Sequence, residues 1–139
     1  MSYLVDTCVL SEVAKTKPAD TVLRWFAATD EASMAISALT IGEIRFGIAR
    51  LPASAKRRRL TAWLSALEAR FEPRIVPVDG AVAATWGELR AQALARGRPL
   101  AAVDGLLAAT AATHGLTFVT RNVADVRATG VPVLDPWTS

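Results

Sequence analysis

Short apolar runs alternate with longer stretches of helical periodicity along the whole chain. Each apolar run is bounded by polar residues, glycine or proline, which is typical of a buried strand. The predicted strands are 3–6, 34–37, 75–78, 117–120 and 131–134. Between them, apolar positions recur every three to four residues, which indicates helices. The predicted helices are 7–14, 18–29, 40–51, 56–71, 79–97 and 102–114.

The order of these elements predicts an α/β fold. The strands are short, apolar on both faces and separated by helices, which is the pattern of a parallel sheet with helices on both sides. The sequence has no repeats and no linker rich in glycine or serine. We therefore expect a single domain over 1–139 with three layers.

Two of the helix ends are marked by residues that cap helices. Thr40 stands three residues before Glu43, which is the spacing of a capping box and predicts that a helix begins there. Gly115 follows the apolar helix 102–114 and is expected to end it in a left-handed conformation.

Composition narrows the chemistry that the chain can perform. Of 139 residues, 52% are hydrophobic and 21% charged, which excludes intrinsic disorder. The single Cys8 and the single His114 exclude a disulfide framework and a cysteine- or histidine-rich zinc site. No segment is long and apolar enough to span a membrane, and the N-terminus lacks a signal peptide, so we expect a cytoplasmic protein.

Four acidic residues are expected at one edge of the predicted sheet. In proteins with an open parallel sheet, ligands bind at the carboxyl ends of the strands. Asp6 ends the first strand, Glu43 and Asp104 lie in the first turns of helices, and Asp125 follows the fourth strand. Each also has a simpler interpretation. Asp6 and Asp104 would serve as helix caps, Glu43 as a solvated capping-box residue, and Asp125 as a loop residue or cap.

Taken together, these carboxylates indicate a metal site. Two unit charges 4 Å apart repel by about 4 kcal/mol at an effective dielectric constant near 20. A divalent cation removes this repulsion, and an all-oxygen shell suits Mg²⁺ or Mn²⁺. Such a site activates water for attack on a phosphodiester.

A basic run, Lys56–Arg59, stands at the start of the predicted helix 56–71. Arginine makes up thirteen of the sixteen basic residues, and its guanidinium group matches the geometry of phosphate. The four side chains, Lys56, Arg57, Arg58 and Arg59, span one helical turn and splay around the axis. They form either a solvated helix entrance or a patch that contacts phosphates.

The chain resembles the PIN-domain ribonucleases, in particular the VapC-type toxins of bacterial toxin–antitoxin pairs and their FitB branch. Four segments carry this resemblance in the order and spacing of the family. They are 3–12, 37–48, 101–111 and 118–125. One residue departs from the pattern: Cys8 stands where the family usually has asparagine, and we expect it to be a small buried residue.

The resemblance implies a Rossmann-like parallel sheet and an acidic pocket for Mg²⁺ or Mn²⁺. Asp6, Glu43 and Asp104 fall on three acids of the family. Family members place the fourth acid either at the position of Asn122 or at that of Asp125, and Asp125 is favoured here. Asn122 would be a polar supporting residue. Thr7 and Thr120 match hydroxyl groups that orient the acids or water.

The resemblance also implies a function and partners. It implies a metal-dependent endoribonuclease that acts as a toxin, cuts RNA such as tRNA or ribosomal RNA, and is neutralised by a VapB-like antitoxin. It further implies a homodimer, with promoter DNA bound only through the antitoxin. The predicted helices 18–29 and 40–51 are the expected docking surfaces for the antitoxin.

Two other functions remain open at this point. A regulatory PIN protein would bind the antitoxin without cutting RNA, although such a protein is expected to lose an acid. A metal-dependent phosphatase would also place an aspartate at a strand end. Phosphatases of that kind commonly carry a second aspartate two residues later, whereas this chain has Asp6-Thr7-Cys8.

Overall fold

The structure is a computed structural model that describes residues 1–138, and it contains one five-stranded sheet. The strands are β1 (Tyr3–Val5), β2 (Met34–Ser37), β3 (Ile75–Val76), β4 (Thr117–Val119) and β5 (Val133–Leu134). They are all parallel, in the order β3-β2-β1-β4-β5. The predicted α/β fold with a parallel sheet is confirmed.

Seven α-helices connect and flank the strands within the described residues. They are α1 (Thr7–Val13), α2 (Asp20–Ala28), α3 (Ala38–Ala49), α4 (Ala55–Phe71), α5 (Gly80–Ala95), α6 (Ala102–His114) and α7 (Val123–Arg127). None of the helices among residues 1–138 combines the length and the apolar character needed to cross a membrane.

Alternating side chains of the central strands form two separate cores. Val5, Ile36 and Val119 point to one face, where they pack with residues of α1 to α4. Their neighbours Leu4, Ala35 and Phe118 belong to the other core, which includes residues of α6 and α7. Both faces of the sheet are covered, and the strands are therefore continuous apolar runs in the sequence.

The order of the strands places a crevice beside β1. The chain builds β2 and β3 on one side of β1 and then crosses over to build β4 on the other side. This reversal is where ligands bind in open α/β sheets, outside the carboxyl ends of the strands. The residues that follow β1 and β4 are Asp6 and Thr120.

The structure corrects several predicted boundaries. The helix expected to begin with a Thr40–Glu43 capping box begins two residues earlier, because the Ser37 hydroxyl accepts a hydrogen bond from Leu39 N at 3.1 Å. The last strand covers two residues rather than four, and α7 was not predicted. Gly115 ends α6 with φ +65°, as expected.

A buried carboxylate fixes the connection between α1 and α2. Glu12 is 6% exposed and accepts hydrogen bonds from Lys15 Nζ at 2.8 Å and Ala19 N at 2.9 Å. These two bonds, followed by the positive charges of Lys15 and Arg121, lower the pKa of Glu12. The carboxylate thereby holds the start of α2 against α1.

Glu12 should therefore contribute to the pH dependence of stability. Its pKa in the folded chain lies below that of the unfolded chain, so its contribution is present above about pH 4.3 and is lost as the pH falls further. Urea denaturation of the wild type and Glu12→Gln between pH 7 and pH 3 should show a smaller decline for the variant. Glu88→Gln, on the exposed face of α5, should decline like the wild type. Parallel curves for the wild type and Glu12→Gln would contradict the assignment.

Candidate functional site

Asp6 lies at the carboxyl end of β1 and is held on both carboxylate oxygens. Oδ1 accepts a hydrogen bond from Thr7 N at 2.7 Å, and Oδ2 accepts one from Thr120 Oγ1 at 2.6 Å. The side chain is 8% exposed. Asp6 is therefore the N-cap of α1 and also a fixed carboxylate at the crevice between β1 and β4, so the two interpretations of this residue coexist.

Asp104 lies in the first turn of α6 and is half-buried, but it does not cap that helix. The N-cap position is Ala101, which makes no side-chain cap bond. Asp104 Oδ2 instead accepts a hydrogen bond from Asn122 Nδ2 at 3.2 Å. The pKa of Asp104 is raised by burial and then by the negative charges of Asp6 and Asp125, while the Asn122 bond acts in the opposite direction.

Glu43 is exposed on α3 and faces the same crevice. Its Oε1 accepts a hydrogen bond from Thr7 Oγ1 at 2.8 Å. Thr7, the residue after Asp6, therefore holds Glu43, which lies 36 residues further along the chain. Glu43 is not a capping-box residue, since α3 is capped by Ser37.

These acids border one open depression of about 520 Å³. Its lining consists of Asp6, Thr7, Cys8, Glu43, Asp104, Leu107, Arg121 and Asn122. Thr120 lies beneath it, where it bonds to Asp6 and accepts a hydrogen bond from Asn122 N at 3.1 Å. The structure thus brings together six of the predicted site residues around a single opening.

Asp125, the acid favoured as the fourth, lies elsewhere. It is exposed on α7 and lines a neighbouring cavity of about 450 Å³ with Arg96, Arg98 and Ala101. Its charge still reaches Asp104, whose pKa it raises. Asn122 is the residue of that segment that contacts the acidic depression.

The donor chemistry of the depression suits a hard divalent cation. Carboxylate and amide oxygens are the ligands that Mg²⁺ and Mn²⁺ prefer. Within residues 1–138, no three His, Cys, Asp or Glu side chains converge closely enough to hold an ion. Mg²⁺ keeps several water molecules and takes one or two carboxylates from a protein. Asp6 and Asp104, whose charges interact, fit that ion better than zinc, which takes three or four close protein ligands.

Cys8 fills the space beside Asp6. Its Sγ lies 3.5 Å from Asp6 Oδ2 and 3.8 Å from Thr120 Oγ1. Burial and then the charge of Asp6 raise the pKa of the thiol, so the group stays protonated at neutral pH. Cys8 is partly buried, against the apolar core of α1 to α4.

The basic run Lys56–Arg59 divides between two environments. Lys56 and Arg59 line a groove of about 360 Å³ that also includes Thr7 and Glu43. Arg57 turns back and donates to Leu51 O at 3.2 Å, and Arg58 is exposed. The predicted splaying of these side chains is confirmed, and two of the four reach the neighbourhood of the acids.

Sequence reasoning missed one cation at the site. Arg121 lines the acidic depression, and its guanidinium carbon lies 4.7 Å from the centre of the Trp137 ring. The available signal was its position directly after Thr120, at the carboxyl end of a predicted strand. Its neighbour Trp137 follows β5, which only the strand order brings beside β4.

Comparison with known proteins gives consistent results. Residues 3–128 match the PIN domain family. The chain is 35% identical over 138 residues to the VapC ribonuclease Y4jK of Sinorhizobium fredii, and the match covers 96% of each chain. It is 36% identical over 135 residues to the toxin FitB of Neisseria gonorrhoeae, covering 96% of this chain and 97% of FitB.

Solved structures share the fold. The crystal structure of FitAcB from Neisseria gonorrhoeae superimposes with a TM-score of 0.94 at 36% identity, covering 99% of both chains. The same fold also occurs in VapBC-5 of Mycobacterium tuberculosis, a member of the VapBC family of toxin–antitoxin systems, with a TM-score of 0.73 at 24% identity, covering 96% of this chain and 97% of the other.

Proposed function

The chain belongs to the PIN domain family, with relatives among the VapC and FitB toxins, and we propose that it is the endoribonuclease toxin of a toxin–antitoxin pair. The observation that carries this proposal is the acidic depression at the carboxyl ends of β1 and β4. There Asp6, Glu43 and Asp104 come from distant parts of the sequence and face one opening. The 35% identity to a VapC ribonuclease supports RNA as the substrate.

Asp6 and Asp104 would hold Mg²⁺ or Mn²⁺, with Glu43 able to take part directly or through water. The bound ion would supply a water of lowered pKa and would stabilise charge on the phosphate oxygens. Asp6 is suited to its role because two hydrogen bonds fix both of its oxygens. Asn122 orients Asp104, and Thr7 orients Glu43.

Added metal should stabilise the folded chain. Burial and then the negative charges of Asp6 and Asp125 disfavour the charged form of Asp104 and raise its pKa, and a bound cation would offset those charges. A ligand at a hundred times its Kd adds about 2.7 kcal/mol to the free energy of unfolding. Millimolar Mg²⁺ or Mn²⁺ is therefore expected to raise the melting temperature of the wild type by several degrees, and that of Asp104→Asn by less. Equal shifts in both proteins would contradict the assignment of Asp104 as a ligand.

The proposed partners are a VapB-like antitoxin and a second copy of the chain in a homodimer. The 36% identity to the toxin FitB supports the antitoxin as a partner. Promoter DNA would be bound only through the antitoxin. Helices α2 and α3 are the proposed docking surfaces, and the expected location is the cytoplasm.

The groove that contains Lys56 and Arg59 is a proposed path for RNA. It begins at Thr7 and Glu43, so a strand lying along it would arrive at the acids. Positive side chains there would contact phosphates, and such contacts weaken as salt rises. Arg57 is engaged with the backbone of Leu51 and is not part of this path.

The experiment that tests the function maps the 5′ ends of RNA after expression of the chain. Defined new ends in tRNA or ribosomal RNA, absent with Asp104→Asn, are expected. A regulatory protein without activity would produce no new ends. A phosphatase would hydrolyse p-nitrophenyl phosphate in the presence of metal, whereas we expect the wild type to leave that compound intact.

A further inference from the structure

Among residues 1–138, Arg121 is the one basic side chain that lines the acidic depression. It lies among Asp6, Glu43 and Asp104, yet the ion pairs formed within residues 1–138 involve other cations, Lys15, Arg45 and Arg70. Its guanidinium group packs over the Trp137 ring instead. The side chain is exposed, so its hydrogen-bond donors remain available to a ligand.

Trp137 gives this arginine a defined position. The ring is half-buried and packs against the core formed with α1 to α4. Its backbone N donates to Asp135 Oδ1 at 2.9 Å, which fixes the turn after β5. A guanidinium group stacked on an aromatic face keeps its planar fork of donors directed outward, and this fork fits two oxygens of a phosphate.

The negative charge at the depression disfavours an approaching phosphate unless a cationic group such as Arg121 offsets it. A phosphodiester that approaches the acids carries a negative charge of its own and is repelled by carboxylates that the cation does not fully neutralise. An arginine fixed beside them, and not consumed by pairing with them, would attract the phosphate and hold it in one orientation.

We propose that Arg121, positioned by Trp137, forms a phosphate-binding subsite that holds the RNA backbone beside the acids. This inference rests on the proposed ribonuclease function and adds a substrate contact to it. Phosphate is favoured over a carboxylate of the antitoxin because the proposed reaction brings a phosphate next to the acids in every turnover. Arg121 binds the backbone, and Trp137 acts only through the position of Arg121.

The test combines cleavage and binding of one RNA oligonucleotide that the wild type cuts. In the presence of Mn²⁺, Arg121→Ala is expected to lower kcat/KM by about tenfold to a hundredfold. Arg121→Lys should recover part of this loss, since it keeps the charge without the fork. Trp137→Ala should lose activity, whereas Trp137→Phe should keep most of it because the ring remains. Adding Trp137→Ala to Arg121→Ala should cause little further loss.

Binding is measured without turnover in Asp104→Asn. In that background, Arg121→Ala should lower the slope of log K against log salt by about 0.7, the value for one contact to a single strand. Arg90→Ala is the matched control, since Arg90 is exposed on α5 and its guanidinium carbon lies 5.3 Å from the centre of the Trp86 ring; it should change neither kcat/KM nor the slope. Melting temperatures of all variants identify any loss of folding, and Trp137→Phe remains informative if Trp137→Ala unfolds.

Two results would overturn the inference. Unchanged cleavage and an unchanged salt slope in Arg121→Ala would show that Arg121 does not bind the RNA backbone. Unchanged cleavage with weaker inhibition by the antitoxin would assign Arg121 to the protein partner instead. In either case the proposed function stands as long as the wild type cuts RNA and Asp104→Asn does not.

Discussion

Asp104→Asn is expected to reduce metal-dependent RNA cleavage by at least about a hundredfold, because loss of a group that merely supports a metal ligand already costs 10–100-fold. The same change should leave the folded chain at least as stable as the wild type. The raised pKa of Asp104 shows that its charged form is disfavoured by burial and by the charges of Asp6 and Asp125. Removing that charge removes the repulsion. Asparagine retains the shape of the side chain and an oxygen that can accept the bond from Asn122.

This pairing of lost activity with retained stability separates a functional acid from a structural one. The measurements are single-turnover cleavage of RNA with Mn²⁺ and urea denaturation of the metal-free protein. Asp20→Asn is the matched control, since Asp20 also lies in the first turn of a helix but is exposed on α2. It should cut RNA at the wild-type rate. Wild-type cleavage by Asp104→Asn would refute the proposed site.

Thr120→Val is expected to lower both cleavage and stability. The Thr120 side chain is fully buried, donates to Asp6 Oδ2 at 2.6 Å and accepts from Asn122 N at 3.1 Å. Valine has nearly the same shape but leaves both groups without this partner. Leaving a buried polar group unpaired costs about 1–3 kcal/mol in the free energy of unfolding. Release of Asp6 should lower the rate of cleavage about 10–100-fold.

Thr120→Ser provides the comparison, because it keeps the hydroxyl group and removes only a methyl group. Serine should retain most of the activity and most of the stability. Urea denaturation and single-turnover cleavage of both variants measure the two effects. If valine and serine reduced cleavage equally, packing rather than the hydrogen bond to Asp6 would be the role of Thr120.

The fold was predictable from the sequence because each buried strand is an apolar run. Residues on both faces of β1, β2 and β4 are covered, so the runs stand out from the helices between them. The ends of the strands were less predictable, since they depend on which residues pair with the neighbouring strand. Of the predicted strand 131–134, only Val133 and Leu134 lie in β5, with partners Phe118 and Val119. Helix α7 has five residues, too few to show a period.

The site was predictable as far as strand ends determine it. Asp6, Glu43 and Asp104 border one depression because Asp6 follows β1, Glu43 lies on the helix after β2, and Asp104 lies in the first turn of α6. Whether Asn122 or Asp125 contacts the acidic depression depends on how the chain turns from Thr120 into α7, and no sequence pattern predicts that turn. The contact of Arg121 with Trp137 depends on β5 pairing with β4, two strands whose order was not evident.

The bond between Thr120 and Asp6 joins residues 114 positions apart, and this separation has a consequence for biosynthesis. Asp6 is synthesised 114 residues before its partner hydroxyl. Strand β4 cannot pair with β1 before then. A nascent chain that has not yet reached Thr120 therefore has no assembled site, and under the proposed function it would not cut RNA.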